Sequence, residues 1–460
     1  AQGPGLKGPG PKGPGWLGSV TYVCGWPRSW LASPGRPALG PMGPRSEEVG
    51  APGPPPILPV YAACFLDMLA SGAVVPLLPV IAAHWGAQPS AVGMLMAGFA
   101  VAQAVGAPTL GSLSDRYSRK WALLVSSAGA CAGFALLGLS RSLGAVALSR
   151  FVAGLAGGGF TVGQAYITDH SRDEDRAAAL GKLQAVFGAG FVFGPALGAF
   201  LSSFNINAPA CFACAVEAVN FFIVALFVRG RRESAPGAAA GPAQTEAPRQ
   251  PFLKAVGDSL AAPWQVLADP ALAAVRPLFL SKAAFSLGFT FLTAFFPVWA
   301  IAQLGLEPKV TGWLLTYVAL CNIAVQAFLM KPLTRRFSER RLLAAGMAMA
   351  ATSLAGWACV RSVAALVPVL TVGAFASPLF MTSCTSLLSK VPRESEVGRV
   401  LGVGVSVDCF ARIVVPLTAG VLLERLGPPS LGAAGATVIL LALPVSLHAL
   451  RRPPPAPSPA

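Results

Sequence analysis

Long apolar runs follow one another along most of this 460-residue chain, separated by short polar turns. Six fall near Ile57–Ala83, Pro89–Leu113, Trp121–Leu139, Leu143–Ile167, Leu180–Phe204 and Ala208–Val228. After a polar stretch come six more, near Val275–Leu304, Val310–Met330, Leu342–Cys359, Val363–Leu388, Gly398–Leu422 and Leu431–Leu450. A helix rises about 1.5 Å per residue and the hydrocarbon core of a bilayer is about 30 Å thick, so about 20 apolar residues cross it. The pattern predicts an all-α polytopic membrane protein with twelve transmembrane helices, six in residues 57–228 and six in residues 275–450. Residues 229–274 read as a linker, 451–460 as a short tail, and 1–56 as a disordered Gly/Pro-rich tail that is neither a signal peptide nor a packed domain.

Composition agrees: 54% of residues are hydrophobic, 12% are charged and the mean hydropathy is +0.63, so the lipid bilayer must solvate much of the surface. A net charge of +15 in a soluble chain points to nucleic acid. Here the bases sit in connections and tails rather than along a stripe with interleaved aromatics, and no nucleic-acid partner is expected. Alternate connections hold Arg116, Arg119 and Lys120; Arg172 and Arg176; Lys331, Arg335, Arg336, Arg340 and Arg341; and Lys390, Arg393 and Arg399. The opposite set has Arg141, Lys309, Arg361 and Arg425. Cytoplasmic loops retain positive charge, so both termini and the linker are expected in the cytoplasm, in the plasma membrane or an organelle.

The nine cysteines lie mostly inside apolar runs, where small polarizable side chains pack. Cys211 and Cys214 have no second pair or nearby histidine, and no metal or other cofactor is expected. His84, His170 and His448 sit at span ends, so no nucleophile–base constellation lies at membrane depth and an enzyme is not indicated.

Two stretches repeat: LSDRYSRK at Leu113–Lys120 has a counterpart, LTRRFSER, at Leu333–Arg340, 220 residues on. Leu180-Gly181 and Pro195 recur as Leu401-Gly402 and Pro416 at an offset of 221. Two matches at nearly one offset indicate a duplicated, pseudo-symmetric pair of six-helix bundles. The ten residues Gly111–Lys120 then form a turn that sets one acid, Asp115, among Arg116, Arg119 and Lys120 at a membrane edge. The bases alone would enforce topology, whereas the acid could also face a helix N-terminus or a cation.

Charges inside spans are costly, at least about 2.5–3.5 kcal/mol each without water or a partner. Asp67 and Arg150 fall at similar depths from opposite ends of their helices, so the long arginine could reach the acid, as a functional or a structural pair. Glu217 reads as a proton carrier or as a water-exposed rim. Asp408 and Arg412, four residues apart, share a helix face and could neutralise each other. Lys282 reads as an interfacial, snorkelling side chain. Gly190, Gly194 and Gly198 make one bare helix face beside Pro195, suited to close helix approach.

Together, FLD at Phe65–Asp67, GSLSDRYSRK, RFVAGLAGGGFTVGQAYITD at Arg150–Asp169 and GAGFVFGPALGA at Gly188–Ala199 resemble the major facilitator superfamily. The likeness is to its drug:proton antiporter branch, which includes tetracycline exporters and animal orphan carriers. It covers about Ile57–Leu450; Ser118 and Ala199 stand where the branch usually has Gly. The resemblance implies the major facilitator fold and secondary transport of a small organic solute by alternating access, with antiport against protons as one option, in a monomer. It assigns Gly111, Asp115, Arg116, Arg119 and Lys120 to a gating loop in which Asp115 latches the two halves in one access state. It assigns Gly190, Gly194, Pro195 and Gly198 to an antiporter motif that seals and rocks between halves. It makes Asp67 and Arg150 a substrate-facing or proton-responsive pair; with the further intramembrane charges Glu217, Asp408 and Arg412 they form the expected substrate or proton pathway. Tetracycline exporters usually carry further acids in helices 3 and 9, but this chain has none over Trp121–Leu139 or Leu342–Cys359. The solute class stays open among organic cations, amphipathic molecules and small organic anions. The degenerate second loop also leaves room for a transport-inactive sensor or scaffold with the same fold.

Overall fold

A computed structural model describes residues 57–172, 175–230, 275–390 and 397–451. The expected tails and the linker at 229–274 lie, apart from a few edge residues, outside the described residues. The described part is helical, and the helices are numbered here by span. They are α1 (Leu58–His84), α2 (Pro89–Arg116), α3 (Arg119–Gly138), α4 (Leu143–His170), α5 (Arg176–Ser202), α6 (Ala208–Phe227), α7 (Arg276–Leu304), α8 (Pro308–Arg336), α9 (Glu339–Cys359), α10 (Val363–Lys390), α11 (Val397–Leu426) and α12 (Pro429–Arg451). Among the described residues, eleven are long and apolar enough to cross a membrane; in α12 the apolar stretch is the shorter Pro429–Pro444.

Local chemistry sets the ends and breaks. Ser118 and Ser142 cap α3 and α4, their hydroxyls accepting from the backbone N–H of Trp121 at 3.1 Å and Ala145 at 3.3 Å. Gly305 closes α7 and Gly427 follows α11, each in the left-handed region that a side chain disfavours (φ 63° and 79°). Pro76 lies in a 3₁₀ turn, Val75–Leu77, that interrupts α1, and α4 is broken between Leu155 and Gly159. The expected ten-residue turn after α2 is much shorter. Helix α2 continues through Arg116 and α3 starts at Arg119, leaving Tyr117 and Ser118 as the turn. Gly111 to Arg116 are helical because polar side chains at a membrane edge can stay on a helix whose last turn is in water.

Helices α1 to α6 pack on one another, as do α7 to α12, and the main contacts between the sets are α2 with α11 and α5 with α8. Advancing each helix by six turns the first pair into the second, as the duplication requires. The second half has one large core in which Trp299 and Trp357 stack at 4.5 Å and Phe285 and Phe380 at 3.9 Å between ring centroids. The first half divides its core between clusters around Ile81, Phe134 and Leu137 and around Tyr166, Ile167 and Leu183. Outward positions such as Phe222, Leu226 and Leu441 are bare apolar surface suited to lipid.

Candidate functional site

Where the halves meet, contact is concentrated at the ends remote from the 111–120 segment. A side chain on Gly93 would run into the Pro416 carbonyl, and one on Gly420 would meet that of Pro89 at 2.5 Å. On the other pair, a Cβ on Gly312 would lie 3.0 Å from the Pro195 carbonyl and clash with Ala199. Toward the 111–120 end, Gly111, Gly181 and Gly402 have open space where a side chain would stand. Between the seal and that end lies a cavity of about 1170 Å³ lined from both halves. This slightly exceeds the usual volume of ligand pockets.

Asp67, Arg150 and Arg412 line this cavity; Glu217 and Asp408 do not. The expected pairing of Asp67 with Arg150 is not what forms. Asp67 instead lies within hydrogen-bonding reach of Glu217 on α6. The break in α4 makes room: a Cβ on Gly159 would approach Asp67 Oδ2 at 3.6 Å, and Ser126 Oγ holds the break by donating to the Ala156 carbonyl at 2.6 Å. Glu217 is completely buried, which excludes the rim position; Asn220 Nδ2 donates to its Oε2 at 3.1 Å.

Arg150 is 2% exposed. Its guanidinium lies 5.3 Å from the centroid of the Phe134 ring, its Nε makes a long 3.4 Å contact with Ser149 Oγ, and its Nη2 has no acceptor. Arg412 is exposed on the opposite wall. It is not neutralised by Asp408, because that carboxylate is taken by α7: Lys282 Nζ at 2.8 Å and the Ser286 hydroxyl at 2.6 Å both donate to it. Lys282 is buried rather than snorkelling. Four-residue spacing puts two side chains on one helix face, but here that face looks two ways, and the facing helix wins Asp408. The signal available in the sequence was Lys282 itself, a cation at membrane depth with no acid on its own helix.

The gating segment is bound within its own half. Arg119 pairs with Asp115, donates through Nε to Asp169 Oδ2 at 2.9 Å, and reaches Ser114 Oγ at 2.6 Å, tying α2 and α3 to α4. Lys120 donates to the Ala225 carbonyl of α6 at 2.7 Å and Arg116 lies over the Tyr117 ring. The Asp115 side chain is 66% exposed and Gly111 lines the cavity. The bare face of α5 likewise turns inward. A Cβ on Gly190 would meet the Phe65 carbonyl at 2.8 Å, one on Gly194 would meet Gly72 Cα at 2.6 Å, and one on Gly198 would strike the Ala73 carbonyl, all on α1. Contact across the halves comes from the neighbouring face, at Pro195 and Ala199. Cys131 and Cys214 are free thiols 3.6 Å apart between α3 and α6.

The family model described as Major Facilitator Superfamily matches residues 60–307 and again 278–460. The chain belongs to the major facilitator superfamily. Membership accounts for the two matched segments, the helix pairing and the cavity between bundles, and it places the chain among multi-pass membrane transporters. Among relatives, the class C tetracycline resistance protein of Escherichia coli is 30% identical over 62% of this chain and 68% of its own length. Solute carrier family 22 member 18 of Mus musculus is 27% identical over 84% of this chain and 94% of its own. The crystal structure of the human organic anion transporter MFSD10 (TETRAN) superposes with a TM-score of 0.61 at 20% identity, covering 85% of this chain and 98% of that one, which speaks to the fold.

Proposed function

We propose that this chain carries a small organic solute across its membrane by alternating access, with residues 57–228 and 275–450 rocking about the shared cavity and a proton carried by the Asp67–Glu217 carboxyl pair. The observation that carries this reading is Asp67 on the wall of a cavity lined from both halves, with the buried Glu217 directly behind it. Two carboxylates this close repel in a low dielectric; a single proton between them converts repulsion into a hydrogen bond, so the pair is suited to take up and release one proton as its surroundings change from dry to wet. The open space around Gly111, Gly181 and Gly402 supports assigning this geometry to the state open at the 111–120 face. In that state Asp115 is free of the other half, and in the opposite state it is the group that closes on it. The positive loops support a cytoplasmic position for that face and for both termini. Binding and rocking suffice for such a cycle in a monomer, without a covalent catalyst.

The relatives' names give no common solute, since one is called for tetracycline resistance and another for organic anions. The test is therefore coupling. Purified protein in liposomes is loaded with a pH-sensitive dye and challenged with a panel of organic cations, neutral molecules and anions. Solute-dependent proton flux is expected, falling to the level of protein-free liposomes in Asp67→Asn and Glu217→Gln. Solute flux that persists without proton movement in the unaltered chain, or proton flux unchanged in both variants, would remove the pair from coupling.

A further inference from the structure

The two halves balance their internal charges differently, and what is left over faces the cavity. Of the three acids at membrane depth, Asp408 is held by Lys282 and Ser286, while Asp67 and Glu217 face each other. No described acid makes an ion pair with either arginine of the cavity wall. Arg150, from α4, is buried with an orphan Nη2, and Arg412, from α11, stands exposed on the other half. A guanidinium withdrawn from water without an anion is expensive, and its planar fork of donors fits a carboxylate in two parallel hydrogen bonds. The rest of the wall is largely apolar and aromatic, including Phe99, Phe134, Phe187 and Phe410.

We infer that the cavity takes an amphipathic organic anion whose carboxylate is received by Arg150 of one half and Arg412 of the other while its apolar body lies against the phenylalanines. This rests on the transport reading and names its solute class. An anion that engages an arginine from each half also favours the arrangement that brings those halves together, so occupancy biases the access equilibrium through contacts made differently in the two states. Arg150 supplies the dry, discriminating contact and Arg412 the wet, capturing one.

The experiment uses the full chain in lipid nanodiscs and three ligands of one shape: 2-naphthylacetate, its neutral amide and the cationic 2-(2-naphthyl)ethylamine. Calorimetry is expected to show the carboxylate binding at least about tenfold more tightly than the amide or the amine. Arg150→Gln and Arg412→Gln should each remove most of that preference, while Arg150→Lys should keep part of it, and the unliganded melting temperatures show that each variant is folded. Equal binding of the three ligands, no binding of the carboxylate up to millimolar concentration, or a carboxylate preference unchanged in both Gln variants would overturn the assignment. Binding is read without flux, so the two proposals fail separately. Proton-coupled movement of the amine with no arginine dependence sinks the anion site alone. Arginine-dependent carboxylate binding without flux in liposomes sinks the transport reading instead.

Discussion

The α1–α5 contact and its duplicate, α7–α11, solve one packing problem in two ways. In the first half Gly190, Gly194 and Gly198 bring α5 backbone to backbone with α1. At an offset of 221 residues the same positions on α11 are Ala411, Val415 and Ala419, all buried, and the helices there are joined by side chains and by the Lys282–Asp408–Ser286 cluster. The clips near the 111–120 end differ as well. Arg119 opens α3 and holds the acid Asp169 at the end of α4, whereas its counterpart Glu339 opens α9 and holds the base Lys390 at the end of α10 at 2.6 Å. Even Asp115 has Arg335 as its counterpart. Duplication has thus preserved where a tie is needed while leaving the sign of each charge free. A carboxylate also suits a helix N-terminus better than a guanidinium, in keeping with Glu339 needing one base where Arg119 engages two acids.

The α7–α11 cluster is the place to break this comparison hardest. Lys282→Met leaves Asp408 without its cation and should cost about 3 kcal/mol, the low end for a broken buried pair because the Asp408 side chain is 31% exposed. The double change with Asp408→Leu should recover most of that loss, and thermal unfolding in detergent measures both. If Lys282→Met alone leaves the melting temperature in place, the cluster is not a structural tie. Next in size, Gly194→Ala pushes a methyl against Gly72 and should cost about 1–3 kcal/mol. Gly188→Ala, which meets nothing within 4 Å, should be neutral or stabilise by up to about 1 kcal/mol through helix propensity. Opposite signs in the same assay support backbone contact; equal effects would remove it.

The smallest effect belongs to the clips. Arg119→Glu should cost about 1 kcal/mol, as expected of a partly exposed pair. Adding Asp169→Lys rebuilds the arrangement of the second half and should return most of it, less a few tenths of a kcal/mol for the new repulsion between Asp115 and a carboxylate four residues on. A double variant no more stable than Arg119→Glu would show that the sign of the clip is fixed by its surroundings.

Much of this was legible in the chain because membrane helices announce themselves by length and their loops by charge. The twelve apolar runs, the offset near 220 residues and the family motifs led to the observed architecture. Partner choice was not legible. Asp408 pairs with a residue 126 positions away and not with Arg412 four positions on, and Asp67 meets Glu217 rather than Arg150. Spacing reports neighbours on one helix, whereas these contacts depend on how helices rotate against one another. The break in α4 that admits Asp67 is likewise a property of three consecutive glycines, Gly157 to Gly159, which read in sequence only as part of a motif.

One feature of the far seal reaches beyond packing. Gly93 rests on the Pro416 carbonyl and Gly420 on that of Pro89, and among the described residues the polar contact beside them is one exposed hydrogen bond, from the Ser90 N–H to Glu424 at 3.4 Å. Such a closure is held by shape, so added electrolyte has almost nothing there to screen. On the proposed alternating-access cycle, opening of this seal should therefore depend little on the ionic strength of the solution it faces.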